Sequence, residues 1–365
     1  MKPAIHQFLP SFAGRDAIGR HTLEAQRILR EAGFDSDIYC GEALREVAKQ
    51  AKRYQKFEGG PAGHTWLLYQ LSTGSPVADF CVARPEPLIV DYHNITPAEF
   101  FEPWEPHVAV ELIEGRHQLA DLAGDTSFAM ADSSFNESEL IDLGYRPTAV
   151  APILLDLSDF DQPPDQAALD RLRAERDRRG GGAEWLFVGR IAPNKCQHDV
   201  LKAFAAYVRL FDPRARLHLV GGSSSHRYET AMREFVEDAG IGANVNFASS
   251  VSHGALLAYY AHADVFVCLS EHEGFCVPLL EALHHGVPIV AFESSAVPET
   301  LGGAGLCLKD KSPIGVAEAV RRVVTDDALR AVMVEAGRAQ LQHFSLERTS
   351  KQFLDAVESF VGGKV

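Results

Sequence analysis

The run from Ala263 to Ala291 constrains the fold most. Ala263-Asp264-Val265-Phe266-Val267-Cys268-Leu269-Ser270 is a buried-strand pattern that ends in polar residues, and Gly286-Val287-Pro288-Ile289-Val290-Ala291 is a second. Between them, Glu271 to Glu281 reads as a loop that feeds straight into a helix, with Pro278 where the helix begins. Proline suits a first helical position because the N–H it lacks would have no partner there. Strand, loop, helix, strand is a parallel crossover unit. Ligands of such sheets bind at the carboxyl ends of the strands.

The loop carries two carboxylates, Glu273 and Glu281, in the pattern E-x7-E. Gly274 follows the first and lets backbone amides come close to a small ligand. The helix start offers unpaired N–H groups and partial positive charge, which suit a diphosphate. Glu273, at the loop's mouth, is placed to bond sugar hydroxyls or to answer developing positive charge. Glu281, one turn in, is placed to take two ribose hydroxyls. Sugar, diphosphate and ribose in a row describe a nucleotide-sugar. Taken alone, Glu-Gly-Phe is also a common turn and Pro-Leu-Leu-Glu an ordinary helix start, so the strand context carries the argument.

At 365 residues the chain fits two domains. Alternating strand and helix patterns in both halves predict two α/β, doubly wound cores. A formal net charge of −15 argues against a nucleic-acid binder. The start, Met1-Lys2-Pro3-Ala4-Ile5-His6, has no apolar stretch of a signal peptide. No run approaches the roughly 20 apolar residues of a membrane helix. The six cysteines stand without C-x-x-C pairs, several inside strand-like runs. They read as core residues of a reduced, cytoplasmic protein rather than a disulfide or zinc framework.

Strands are expected at 4–9, 36–39, 66–69, 78–82, 88–92 and 127–131 in the first half, which 148–153 closes. Helices are expected there at 20–32, 42–57, 107–123 and 137–143. Asp156 to Asp165 is rich in Asp and Pro, and Gly180-Gly181-Gly182 follows a charged run, so 156–182 reads as a linker with a short helix. The domains are then 1–155 and 183–344. In the second half strands fall at 184–189, 217–220 and 245–247 besides the two already described. Helices fall at 197–210, 228–239, 254–261, 316–325, 327–343 and 345–360.

The stretch from Ser270 to Gly305 resembles the signature of family-4 retaining glycosyltransferases. The matching residues are Ser270, Glu273-Gly274-Phe275, Pro278-Leu279-Leu280-Glu281-Ala282, Gly286-Val287-Pro288, Pro298-Glu299 and Gly302 to Leu306. Val188-Gly189-Arg190-Ile191-Ala192-Pro193-Asn194-Lys195 resembles the same family's strand-loop with its Arg and Lys. The resemblance implies the GT-B fold, two Rossmann-like domains facing a cleft, and a last helix, 345–365, that returns to the first domain. The implied activity is transfer of a hexosyl group, with retention, from a nucleoside-diphosphate sugar to a glycan, glycolipid or small-molecule acceptor. No metal or other cofactor is implied. UDP is preferred over GDP as the donor's nucleotide. A nucleotide-sugar 2-epimerase and a non-catalytic nucleotide-sugar-binding protein are the alternatives. An NAD-dependent enzyme is disfavoured because G-x-G-x-x-G is absent.

Residue roles follow from the same match. Arg190 and Lys195 would neutralise the leaving diphosphate, the first as a fork and the second as a point charge. Glu273, Gly274 and Phe275 would hold sugar hydroxyls, and amides near Val277 and Leu279 the diphosphate. Glu281 would hold the ribose. Val251, in the loop after the strand at 245–247, would face the base. His93 follows a buried strand run, and the family places a histidine there against the donor sugar, positioning it through the imidazole or the backbone carbonyl; a structural histidine is the other reading. Gly14 to Gly19 would supply close backbone contacts from the first domain, although family members carry a Gly-Gly pair where this chain has Gly-x4-Gly. Asp35-Ser36-Asp37 is a D-x-D, but its place before a strand reads as a turn. The basic run Arg45 to Lys56 reads as a solvated helix face that could also touch anionic lipid at a membrane surface.

Overall fold

The computed structural model describes residues 2–14 and 16–362, and Arg15 of the Gly14–Gly19 loop lies outside them. The chain divides into two units: residues 1–99, 106–156 and 343–365 form the first, and 100–105 with 157–342 the second. In the first unit the order is β1 (Ala4–Phe12), α1 (Ala17–Glu31), β2 (Ile38–Ala43), β3 (Ala51–Arg53), β4 (Thr65–Leu71), α2 (Pro76–Val82), β5 (Leu88–Tyr92), α3 (Pro106–Asp121), β6 (Thr126–Ala131), α4 (Ser134–Asp142) and β7 (Thr148–Val150). The second unit runs α5 (Gln166–Arg178), β8 (Glu184–Val188), α6 (Gln197–Leu210), β9 (Arg216–Val220), α7 (His226–Asp238), β10 (Val245–Ala248), α8 (His253–His262), β11 (Val265–Cys268), α9 (Val277–His284), β12 (Ile289–Phe292), α10 (Val297–Leu301), β13 (Leu306–Leu308), α11 (Pro313–Thr325) and α12 (Asp327–Leu341). The last helix, α13 (Leu346–Val361), rejoins the first unit.

Each unit holds a parallel sheet. Among the described residues the strand order is β3-β2-β1-β4-β5-β6-β7 in the first and β10-β9-β8-β11-β12-β13 in the second. The order reverses between β1 and β4, and again between β8 and β11. Every residue of β4, Thr-Trp-Leu-Leu-Tyr-Gln-Leu, is buried, as expected for a strand covered on both faces.

Two sequence expectations fail here. Residues 42–57 are not a helix: β2 runs to Ala43, turns follow, and β3 pairs in parallel with β2 through Ile38↔Ala51, Tyr39↔Lys52 and Cys40↔Arg53. The long polar side chains favour a helix, but strand pairing overrides that propensity. Lys52 donates to Asp37 Oδ2 at 2.8 Å, and Arg53 donates to the Gly41 carbonyl. The basic side chains therefore do not line one helix face, and the physical basis for a lipid-binding helix is gone. The Lys52–Asp37 ion pair, with Lys2 to Asp35 at 3.2 Å, makes Asp35 and Asp37 part of a helix-to-strand turn. Residues 78–82 are helix, not strand. Ser75 caps α2 by accepting from the Val77 N–H at 3.2 Å, and Pro76 occupies its first turn.

Residues 157–182, expected as a linker, are packed within the second unit. The Asp165 N–H donates to the Gly254 carbonyl at 2.9 Å, and the Asp165 carboxylate caps α5 through the Ala168 N–H at 3.0 Å. Arg176 reaches Asp264 at 2.9 Å.

The buried residues of α13, Thr349, Phe353, Ala356, Val357 and Val361, recur at helical spacing and make one apolar face. That face joins a core with Ile28, Leu29, Phe34, Trp66 and Phe128. Phe353 is fully buried. Phe353→Ala should cost about 3–5 kcal/mol in urea unfolding. A loss below about 1 kcal/mol would show that the first unit's core does not depend on α13.

Candidate functional site

In the second unit the loops that follow β8 and β11 flank the point where strand order reverses, the position at which such sheets bind ligands. The loop after β8 starts at Gly189. A Cβ on Gly221, whose φ is +145°, would lie 2.1 Å from the Gly189 carbonyl oxygen, so only glycine lets these two strand ends approach. Arg190, next in the chain, is exposed, and its carbonyl accepts from Gln197 Nε2 at 2.8 Å. A single turn at Pro193–Lys195 then leads into α6.

Asn194 fastens this loop to the one after β11. Its carbonyl accepts the Glu271 N–H at 2.9 Å, and its Nδ2 donates to the His272 carbonyl at 3.0 Å. One residue on, Lys195 and Glu273 form an ion pair with side chains 21% and 7% exposed. Burial alone would lower the Lys195 pKa. The facing Glu273 carboxylate reverses this and raises it, while the nearby Arg190 charge works against the rise. The structure thus brings Arg190, Lys195 and Glu273 to one place.

The segment from Glu273 to α9 is held from behind. The Glu273 N–H donates to Ser295 Oγ at 2.8 Å, and Thr300 Oγ1 donates to the Phe275 carbonyl at 2.5 Å. Gly274 is half-buried and Phe275 buried. Cys276 enters α9 in the left-handed conformation, φ +75°, with no side-chain cap, and Pro278 sits in the first turn. The half-buried Val277 lies at that start. Leu279 departs from expectation. Its N–H donates to the Cys276 carbonyl at 3.0 Å and its side chain is fully buried, because the helix closes its first turn on itself. Glu281 is buried and accepts from Tyr260 Oη at 2.7 Å. Burial, and then this carboxylate, raise the Tyr260 pKa well above its ordinary value, so the phenol stays a donor. Val251 is half-buried in the loop between β10 and α8.

The first unit's candidates are placed differently. Gly19 lies in the first turn of α1. Its N–H donates to the capping Asp16 carboxylate at 2.6 Å, and a Cβ there would meet the Ala13 carbonyl oxygen at 1.7 Å. This glycine serves close packing of the turn, and its amide already has a partner. A Cβ on Gly14 would meet Val47 at 2.6 Å.

His93 follows β5 and is buried with both ring nitrogens engaged. Nδ1 lies 3.0 Å from Asp132 Oδ2, and Nε2 lies 2.5 Å from Gln70 Oε1. Gln70 Nε2 donates in turn to Gln7 Oε1 at 3.1 Å. His21 Nε2 sits 3.0 Å from Asp91 Oδ2, while its Nδ1 accepts the Leu154 N–H at 3.0 Å. Burial would lower the His93 pKa, but Asp132 and Asp91 raise it to about 9. The imidazole is therefore a fixed cation in a polar core. The sugar contact expected of its ring has no unengaged nitrogen to use.

Sequence reading missed Asn194, Tyr260, Thr300, Asp132 and Gln70 as partners of the named residues. Asp132 alone gave a signal, a carboxylate directly after a buried strand run. The others act through the three-dimensional placement of loops.

Residues 170–340 match the family model described as glycosyl transferases group 1. A D-inositol 3-phosphate glycosyltransferase of Corynebacterium urealyticum is 31% identical over 47% of this chain and 42% of its own. A GDP-mannose-dependent alpha-(1-6)-phosphatidylinositol monomannoside mannosyltransferase of Mycobacterium tuberculosis is 33% identical over 48% of this chain and 46% of its own. The match spans less than half the length of these curated relatives. The crystal structure of the Anabaena protein HepE with UDP and glucose superposes with a TM-score of 0.72 at 17% identity, over 98% of this chain and all of that one. This likeness shows the fold, which is GT-B.

The His93 network generates a pH prediction. Its pKa is raised from the ordinary value of about 6.5 to about 9 in the fold. The stabilisation is therefore complete below about pH 6.5 and is lost as pH rises through about 9. Wild type should lose roughly 3 kcal/mol relative to His93→Gln across that window, measured by urea unfolding at a series of pH values. Parallel curves would mean that His93 is not held as a cation.

Proposed function

We propose, for a chain whose residues 170–340 belong to the glycosyl transferases group 1 family, that it is a retaining hexosyltransferase using a nucleoside-diphosphate sugar. One observation carries this reading: the Lys195–Glu273 pair stands beside Arg190 at the carboxyl ends of β8 and β11, where α9 begins.

The proposed chemistry follows from those groups. The diphosphate lies against Arg190, Lys195 and the first turn of α9. Glu273 and the backbone at Gly274 and Phe275 hold the sugar hydroxyls. Glu281, aimed by Tyr260, takes the ribose. As the bond from the anomeric carbon to the diphosphate oxygen breaks, the two cations take up the charge that develops on the leaving group. The acceptor hydroxyl enters from the same face, its proton passing to the departing diphosphate oxygen, so configuration is retained. No second carboxylate is placed as a nucleophile in this scheme. The two side-chain cations supply the charge that a bound metal would otherwise supply, so the reaction is proposed to be metal-independent. The buried free thiols support a reducing, cytoplasmic setting.

The donor is proposed to be a UDP-sugar, with GDP the competing base because a 33% identical relative is named for GDP-mannose. The acceptor is a glycan, glycolipid or small molecule. Among the described residues no helix is long and apolar enough to cross a membrane. A thermal-shift panel of UDP, GDP and ADP reads the base directly, since a ligand that binds only the folded state raises apparent stability. Nucleotide release that requires an acceptor separates a transferase from an epimerase or a binding protein.

Glu281→Ala should weaken binding of the free nucleotide by about 1–3 kcal/mol, measured by calorimetry. An unchanged affinity in the folded variant would remove Glu281 from the ribose. Lys195→Ala and Arg190→Ala should each lower kcat at saturating donor, by about 10²–10³-fold where the cation acts in the transition state. Wild-type turnover in either variant would remove that residue from the leaving-group role.

A further inference from the structure

The loop that carries Glu273 is bracketed by two thiols. Cys268 ends β11 and Cys276 opens α9, in the spacing C-x7-C, so Glu273, Gly274 and Phe275 all lie between them. Their sulfurs are 3.9 Å apart, and Cys268 Sγ also lies 3.4 Å from Ser270 Oγ. Cys276 takes a left-handed backbone, φ +75°, that non-glycine residues rarely adopt. In that conformation its side chain lies against Cys268.

We propose that Cys268 and Cys276 are a reversible modification site, a dithiol that hydrogen peroxide converts to a disulfide, and that the disulfide abolishes nucleotide-sugar binding. The chemistry balances in two steps. The Cys268 thiolate attacks one peroxide oxygen, the O–O bond breaks, and the departing hydroxide takes up the proton the thiol gave up and leaves as water as Cys268 becomes a sulfenic acid. Cys276 sulfur then attacks the Cys268 sulfur, expelling the sulfenic oxygen as a second water. Both thiol hydrogens end in water, and a dithiol reductant reverses the change.

The contact between the two sulfurs sets this pair apart from the chain's other cysteines. Within the pair, the hydrogen bond to Cys276 holds the Cys268 thiol below its ordinary pKa against the opposing effect of burial, while the same contact and burial push the Cys276 thiol well above its own, so Cys268 is the attacking sulfur. Burial pushes the Cys196 thiol up to about 12 and the Cys40 and Cys81 thiols above their ordinary values. A sulfenic acid formed at Cys268 has its resolving thiol already against it.

The effect on binding follows from geometry. A disulfide brings the sulfurs from 3.9 Å to about 2.0 Å. The strand end carrying Cys268 is fixed in the sheet. The movement therefore falls on the loop and on the start of α9, away from the Lys195–Glu273 pairing and the Ser295 and Thr300 supports described above. This second half of the proposal rests on the reading that this loop holds the donor.

The test uses the full chain, reduced and then treated with excess hydrogen peroxide. Peptide mapping by mass spectrometry should find one cross-linked species joining the Cys268 and Cys276 peptides. Affinity for the nucleoside diphosphate should fall at least about tenfold, and dithiothreitol should restore it. Cys268→Ala and Cys276→Ala should each keep their own untreated affinity after peroxide, whatever that affinity is. Cys307, on β13 and partly exposed, reports unspecific oxidation. Sulfinic or sulfonic acid at either position without the cross-link overturns the proposal. So does a cross-link that leaves nucleotide affinity unchanged. Reduced protein that binds no nucleoside diphosphate sinks the transferase reading instead, and the cross-link is still decided by mass alone.

Discussion

Parallel strands cannot be joined by hairpins. Most connections cross the sheet through a helix, and that constraint organises both units. It leaves all carboxyl-end loops on one edge of each sheet. Where strand order reverses, the two flanking loops diverge and open a place for a ligand. In the second unit these are the loops after β8 and β11. Asn194 joins them through two hydrogen bonds to backbone, and the Lys195–Glu273 pair closes beside that junction. Charge and position are therefore coupled: the cation that could meet a diphosphate also holds the carboxylate that could meet a sugar.

Much of this was legible in the chain. The E-x7-E segment announced a strand-to-helix loop, and β11, α9 and β12 fall where the apolar runs place them. Helix α6 was read to the residue. Two of the failures share a cause, hydrogen-bond partners that spacing cannot reveal. Leu279 looked like an amide donor until its turn closed on Cys276. Gly19 looked like a phosphate-facing glycine, but its amide serves Asp16 and its missing side chain makes room for the Ala13 carbonyl. Residues 42–57 carry helical composition, yet an edge strand captured three of them. Ser75-Pro76 was a readable helix start, and the apolar run that followed it masked the signal.

The first unit shows how polar groups survive inside a parallel sheet. Gln7, Gln70, Asp91 and His93 come from three strands or their ends, and each finds a partner. A buried histidine left alone would be neutral. Here the carboxylates of Asp132 and Asp91 outweigh burial, so the charge is structural. A neutral pair of apolar side chains could fill the same volume without a desolvation penalty. The network instead sets one arrangement of β1, β4 and β5 against α1, through Gln7 to the Thr22 carbonyl at 2.9 Å and His21 to Asp91.

The return of α13 to the first unit has a consequence for synthesis. A ribosome makes this chain from its first residue onward, and domains ordinarily fold as they emerge. The first unit cannot follow that order. Phe353 and Val357 belong to the same core as Ile28, Leu29 and Trp66, so that core stays open while nearly two hundred intervening residues, 157–342, are made and folded. The second unit is contiguous over that stretch and can form first. A nascent or prematurely ended chain therefore presents an apolar groove along α1 to chaperones and proteases, and only the last helix withdraws it.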